Sequence, residues 1–169
     1  MSMKDLLLAE FDQEMGVTRK LLERVPLDPP DWRPHPKSAA IQGLASHVAN
    51  LPAWLPLTLD HSELDLMPGG VPWKTPQLAT TADLVAAFDH NCGPARTSLA
   101  NATADRFDEP WSLLANGHLH FTMPKIKVLR YFVFSHLVHH RAQLGVYLRL
   151  REVPVPMAYG PTADGQPGR

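Results

Sequence analysis

The segment SHLVHHRAQL, Ser135–Leu144, places three of the chain's nine histidines within five positions. It lies in a stretch that otherwise reads as a buried helix. Each helical residue advances by about 100°, so with His136 at 0° His140 lies near 40° and His139 near 300°. Leu129, Val133, Leu144 and Tyr147 fall between about 20° and 80° on the same wheel. This puts His136 and His140 at the centre of the apolar face, His139 at its edge, and Arg141 pointing away. The same construction on IQGLASHVANLPAW places His47 beside Leu44, Leu51 and Leu55 on the face that must be buried. Three imidazoles from two helices are therefore expected in the core.

A buried imidazole needs a partner for each ring nitrogen, or it costs a few kcal/mol. Three facing imidazoles cannot all be protonated, because like charges repel in a low dielectric. A divalent ion answers both constraints. Histidines at i and i+4 can bind one ion, as in helical zinc motifs, and a third from a neighbouring helix leaves positions open for water or substrate. The ordinary alternative is a set of core histidines satisfied by hydrogen bonds.

Helices must carry these residues. Leu7, Phe11, Met15, Thr18, Leu22 and Val25 step by three or four, predicting a helix from about Met3 to Val25, ended by Pro26, Pro29 and Pro30. A second helix is expected from an N-cap at Ser38, with Ile41, Leu44, Val48, Leu51 and Leu55 as its stripe and a kink or early end at Pro52 and Pro56. A long connection spans 60–79. A third helix begins after Thr80 or Thr81, with Leu84, Phe88, Cys92, Ala95 and Leu99 on one face and a bend at Gly93-Pro94. Asn116-Gly117 between apolar flanks is a hairpin signal, because a type I′ turn needs positive φ at both central residues. The last helix is expected from Pro124 to Arg151, roughly 40 Å long, followed by an irregular tail from about residue 152. The 169 residues suit one domain, 1–169, and four helical segments point to an all-α four-helix bundle with a small β-hairpin before the last helix.

Composition narrows the partners. A net charge of −1 gives no basic face for nucleic acid. No apolar run approaches the ~20 residues that span a bilayer, and the N-terminus meets acidic residues too soon for a signal peptide. The single Cys92 cannot form an internal disulfide, which fits a reducing cytoplasm. Cys92 reads as a small core residue rather than a nucleophile. No catalytic residue is identifiable. His118 and His120 share one strand face and read as a solvated edge, His139 as a rim residue, and His35, His61 and His90 carry no assignment. Asn50, Gln143 and Tyr147 lie one or two turns from the candidate ligands and could orient them or merely pack. Asp12, Glu14 or a partner chain could add a fourth ligand.

The runs SHLVHHRAQLGVYLR, IQGLASHVANLPAW and PWSLLANGHLHFTMPKIKVLRYFVFSH, with the ending VPMAYGPTAD, resemble the DinB/YfiT-like family of bacterial metalloenzymes in matching order along essentially the whole chain. The resemblance implies an up-down-down-up bundle, a homodimer, and a metal site on His47, His136 and His140, the three residues the helical wheels select. Two positions depart from the family pattern: Ala142 stands where Gly is common, and Gly165 where Glu is common. The implied cofactor is one divalent ion, Zn²⁺ or Ni²⁺, although imidazole also suits copper and iron. The implied activity is metal-dependent and acts on a small-molecule substrate with a low-molecular-weight thiol, of transferase or isomerase type. A metal-dependent hydrolase and a non-catalytic, stress-related metal or small-molecule binder are the alternatives.

Overall fold

The computed structural model describes residues 2–165. The protein is mostly helical, with a small three-stranded sheet. Helix α1 spans Met3–Leu22 and opens on a capping box in which Ser2 and Asp5 exchange side-chain and backbone hydrogen bonds. Every residue of its anticipated face is buried, Val25 included, although the helix itself stops at Leu22.

Helix α2 spans Ile41–Asn50, two residues later than a cap at Ser38 would require. Its first amides are satisfied by the proline-rich loop: Ile41 donates to the Trp32 carbonyl at 2.8 Å and Gln42 to that of Pro30 at 3.2 Å. The carbonyls of a rigid loop here replace a side-chain cap. Pro52 does not end the helical path. The backbone tightens into a 3₁₀ turn at Leu51–Ala53 and resumes as α3, Trp54–Leu59.

The long connection contains strand β1, Glu63–Asp65, which pairs in parallel with β2, Pro110–Ala115; β2 pairs antiparallel with β3, His118–Pro124. The expected all-α fold with one hairpin is thus corrected to a helical fold with three strands. The hairpin turn has positive φ at Asn116 (52°) and Gly117 (75°), as the Asn-Gly pair predicts. The Asp65 carboxylate accepts hydrogen bonds from the amides of Met67, Asn116 and Gly117 and fastens the connection to this turn. Helix α4, Thr81–Asn101, starts with a Thr80–Asp83 capping box and continues through Gly93-Pro94.

The last helical run consists of α5, Lys125–Val128, a π-helical segment, Leu129–Phe134, and α6, Ser135–Leu150. The π segment alters the expected phase. An extra residue per turn rotates everything beyond it by about 100° relative to a straight α-helix. From Leu129 on, the buried positions are Leu129, Val133, Phe134, Leu137, Arg141, Leu144, Tyr147 and Leu148. His136 and His140 therefore sit half-buried on a flank, and Arg141, expected to point away, is only 3% exposed. It pairs with Glu14 of α1 at 2.7 Å, donates to Thr18 Oγ1 at 3.1 Å, and meets the Tyr159 hydroxyl of the tail.

Helix α1 packs on α4 and α6, and α2 packs on the same two helices. Among the described residues, no helix is long and apolar enough to cross a membrane.

Removing one member of a buried ion pair leaves the other charge uncompensated, which costs about 3–5 kcal/mol. Glu14→Ala is expected to destabilise the protein by that amount in urea denaturation. A loss below about 1 kcal/mol, the range of exposed pairs, would show that water reaches Arg141.

Candidate metal centre

The packing of α2 against α6 brings His47 over His136 and His140. The ring centroids are 4.9 Å apart for His47–His136, 4.7 Å for His47–His140 and 4.6 Å for His136–His140. One nitrogen from each ring lies within 4.8 Å of the others, and the group contains no carboxylate or thiol among the described residues. The three histidines selected from the sequence are thus the three that the fold clusters. They lie at a half-buried junction rather than in the core centre.

The tautomers are set from outside the cluster. His140 Nδ1 lies 2.8 Å from Gln143 Oε1, an acceptor, so Nδ1 carries the proton and Nε2 keeps its lone pair. His136 Nδ1 lies 3.3 Å from the Phe132 carbonyl, inside the π segment, with the same consequence. His47 Nε2 is 3.2 Å from His136 Nε2. A proton on His47 could satisfy one of the two facing lone pairs and would leave the other without a donor. A cation satisfies all three rings. For Zn–N bonds of 2.0–2.1 Å, tetrahedral ligand nitrogens stand about 3.3 Å apart, and the His47–His136 separation matches that edge. The donor set fits a divalent ion.

Burial, reinforced by the neighbouring His136 and His140, pushes the His47 pKa down to about 4. Burial also lowers that of His136, with His140 adding to the effect and the Phe132 carbonyl opposing it. Metal binding requires the neutral imidazole, and the fold holds these rings in that form.

The other candidates separate clearly. Gln143 orients His140. Tyr147 instead donates to the Ala39 carbonyl and packs edge-on against Trp32 at 5.5 Å, which is a scaffold role. Asn50 donates to Ser46 and lines a cavity beside His47. His139 is exposed, with its ring 4.8 Å from that of His140. Asp12 is engaged by Arg96 and Glu14 by Arg141, so neither joins the cluster. His118 and His120 are exposed on β3. Burial pushes the Cys92 thiol up to about 12, with Asp89 contributing, which keeps it protonated and inert. Gly165 pairs with Thr162 in the tail.

Cavities of about 320 and 350 Å³ adjoin the cluster, one walled by His47 and the other by His136 and His139. A larger apolar cleft of about 400 Å³ lies between α1, α6 and the tail, and none of the three histidines lines it.

The sequence model of the DinB family matches residues 1–166. Among solved structures, the chain is similar to a DinB-like protein from Bacillus subtilis, at 18% identity over 90% of this chain and 97% of that one, with a TM-score of 0.67. It is similar also to a DinB-like protein from Bacillus cereus, at 17% identity over 90% of this chain and 95% of that one, with a TM-score of 0.64. At such identities the likeness concerns the fold. No curated protein matches the chain significantly.

His47→Ala, His136→Ala and His140→Ala are each expected to lose most bound metal in elemental analysis of protein purified without a nickel column, whereas His139→Ala retains it. Full occupancy in His140→Ala would remove that residue from the ligand set. Gln143→Ala, which frees the His140 ring to turn, should weaken metal affinity by about 10–100-fold.

In the metal-free protein, the unfolded chain takes up protons below about pH 6.5 that the folded imidazoles refuse. Stability should therefore fall as pH drops from that value towards about 4, the folded pKa of His47. The melting temperature of metal-free protein across this range measures the effect, and His47→Asn should flatten the slope. An equal slope in that variant would show that His47 does not resist protonation.

Proposed function

The chain belongs to the DinB family, and from that premise we propose that it is a metal-dependent enzyme in which His47, His136 and His140 hold one divalent ion, Zn²⁺ or Ni²⁺, and which acts with a low-molecular-weight thiol in a transfer or isomerisation. The observation that carries this reading is the ligand count: three imidazoles and no fourth protein ligand among the described residues. Structural zinc sites are normally closed by four protein ligands, whereas catalytic ones keep a position open. The absence of a carboxylate from the cluster favours a thiol over a hydrolytic water. Helical zinc hydrolases of the His-Glu-x-x-His type use a glutamate as general base, while a thiol needs only to lose its own proton. When bound, the ion would favour the deprotonated sulfur by its charge. The protein's part is to hold one nitrogen of each ring convergent, with Gln143 and the Phe132 carbonyl retaining the Nδ1 protons of His140 and His136.

In the same reading the four long helices form an up-down-down-up bundle. The packing of α1 and α2 each on α4 and α6 supports it. So do two cross-links: Thr81 Oγ1 donates to Val25 O at the start of α4, and Ser98 donates to Asp60 near its end. The protein is further read as a cytoplasmic homodimer. Ala142, Val146 and Leu150, exposed on α6 at i, i+4 spacing, support a self-complementary contact.

Co²⁺-substituted protein tests the proposal. Cysteine, glutathione, bacillithiol or mycothiol at millimolar concentration should change its visible spectrum and add a near-ultraviolet band of sulfur ligation. A spectrum unmoved by every thiol would overturn the thiol reading in favour of a non-catalytic metal or small-molecule binder.

A further inference from the structure

Beside His47 the connection between α3 and α4 forms one side of a cavity of about 320 Å³. That size is at the lower end of the roughly 300–1,000 Å³ of small-molecule sites, enough for one or two fused rings. Trp54 of α3 and Trp73 of the connection both line it, with Leu66 and Met67, and no Asp, Glu, Lys or Arg contributes to its wall. The polar groups at its surface are neutral: Asn50, Thr75 and the candidate ligand His47. The same two indoles also line an outer recess of about 230 Å³.

The connection is fastened at both ends. Leu66 donates to the Leu114 carbonyl at 2.9 Å and Trp73 to that of Leu66 at 2.7 Å. Further along, Leu78 donates to the Oγ of Ser46, next to His47 in sequence, at 3.0 Å, and Gln42 donates to the Leu78 carbonyl at 3.2 Å. Trp73 is thus placed by backbone hydrogen bonds while its side chain remains unspent: it is 51% exposed, and Trp32, Trp54 and Trp111 are all more buried. A large apolar ring held open over a cavity gains from any flat apolar partner that covers it. Apart from an ion held at His47, an anion finds no cationic side chain in the wall, and an ammonium finds no carboxylate.

We propose that this cavity binds an uncharged, flat aromatic group of a small-molecule ligand against Trp54 and Trp73, with the ligand's reactive end directed at His47, His136 and His140. The direction of the reactive end rests on the metal reading above; the ring site does not. Aromatic pairing adds a roughly two- to tenfold preference beyond the area buried, so a ring should be favoured over an aliphatic group of similar polarity.

Benzamide and cyclohexanecarboxamide, neutral amides of matched size with a flat and with a puckered ring, are titrated into ¹⁵N-labelled metal-free protein while the indole N–H resonances are followed. Benzamide should shift those of Trp54 and Trp73 and leave that of Trp32 in place, and cyclohexanecarboxamide should bind more weakly by the same roughly two- to tenfold. Trp73→Ala, at a half-exposed position the fold tolerates, should lose that preference, and Trp73→Phe should retain most of it. Benzamide that moves neither indole, or an unchanged preference in Trp73→Ala, overturns the ring site whatever the metal does. Zn²⁺-loaded protein is then titrated with benzohydroxamate, which joins the same ring to a chelating head. Binding much tighter than that of benzamide supports the direction of the reactive end. Equal binding refutes that direction; the metal reading is decided separately by the metal content of the histidine variants, and the ring site stands on the indole shifts.

Discussion

Everything at the histidine cluster depends on how α2 sits against α6. Two of the three imidazoles belong to one helix at i, i+4 spacing, which a helix supplies without help. The third must arrive from outside with its nitrogen correct to a fraction of an ångström. The proline-rich loop before α2 sets that position. Its Trp32 and Pro30 carbonyls cap the first amides of α2, while the Trp32 ring packs on Tyr147 of α6 and the Tyr147 hydroxyl holds the Ala39 carbonyl. The loop that starts α2 is thus docked on the helix that His47 must meet. A side-chain cap at Ser38 would have satisfied the helix end equally well and fixed nothing relative to α6.

The rotation of α6 is constrained from its other side. Arg141 follows His140 directly and points about 100° away from it, towards α1. There it meets the Glu14 carboxylate, the Glu14 carbonyl and Thr18 Oγ1. Such a buried pair adds little net stability over a well-packed apolar core. It does demand one geometry, because a guanidinium donates in a fixed plane. Turning α6 far enough to point His136 and His140 elsewhere would break it. We read the pair as a pin on the α1 side whose effect is felt on the α2 side. The tail adds to it through Tyr159, whose hydroxyl donates to the same carboxylate.

Much of this was legible in the residues. The apolar stripes of α1 and α2 are buried as the spacing required, and the Asn116-Gly117 turn has the required backbone. The three candidate ligands identified by face and by resemblance are the three histidines that meet. Two of the three errors share a cause, hydrogen bonds to partners distant in sequence; the third is a local change of helical pitch. Strand β1 is three residues long and too short for any alternation to be visible; it exists because β2 offers an edge and Asp65 finds the hairpin turn. The cap of α2 comes from loop carbonyls, which leave no side-chain signature. The π segment, Leu129–Phe134, shifts the helical wheel by about one residue, and a wheel drawn at a constant 100° per residue cannot register it. The histidines were placed on the right helix and assigned too deep a burial.

The path of the connection between α3 and α4 follows from where its ends must be. Asp60, just past α3, bonds Ser98 near the end of α4, whereas Thr81, at the start of α4, bonds the Val25 carbonyl beyond α1. The chain must therefore travel back along the length of α4 before that helix can begin, and it docks on α2 at Ser46 on the way. A segment obliged to pass beside His47 becomes a wall of whatever space lies there. Trp73 and Met67 could have been polar without cost to the core, because neither is buried. Selection for folding alone gives no reason to hold an indole half in water at that point, and a ligand that covers it does.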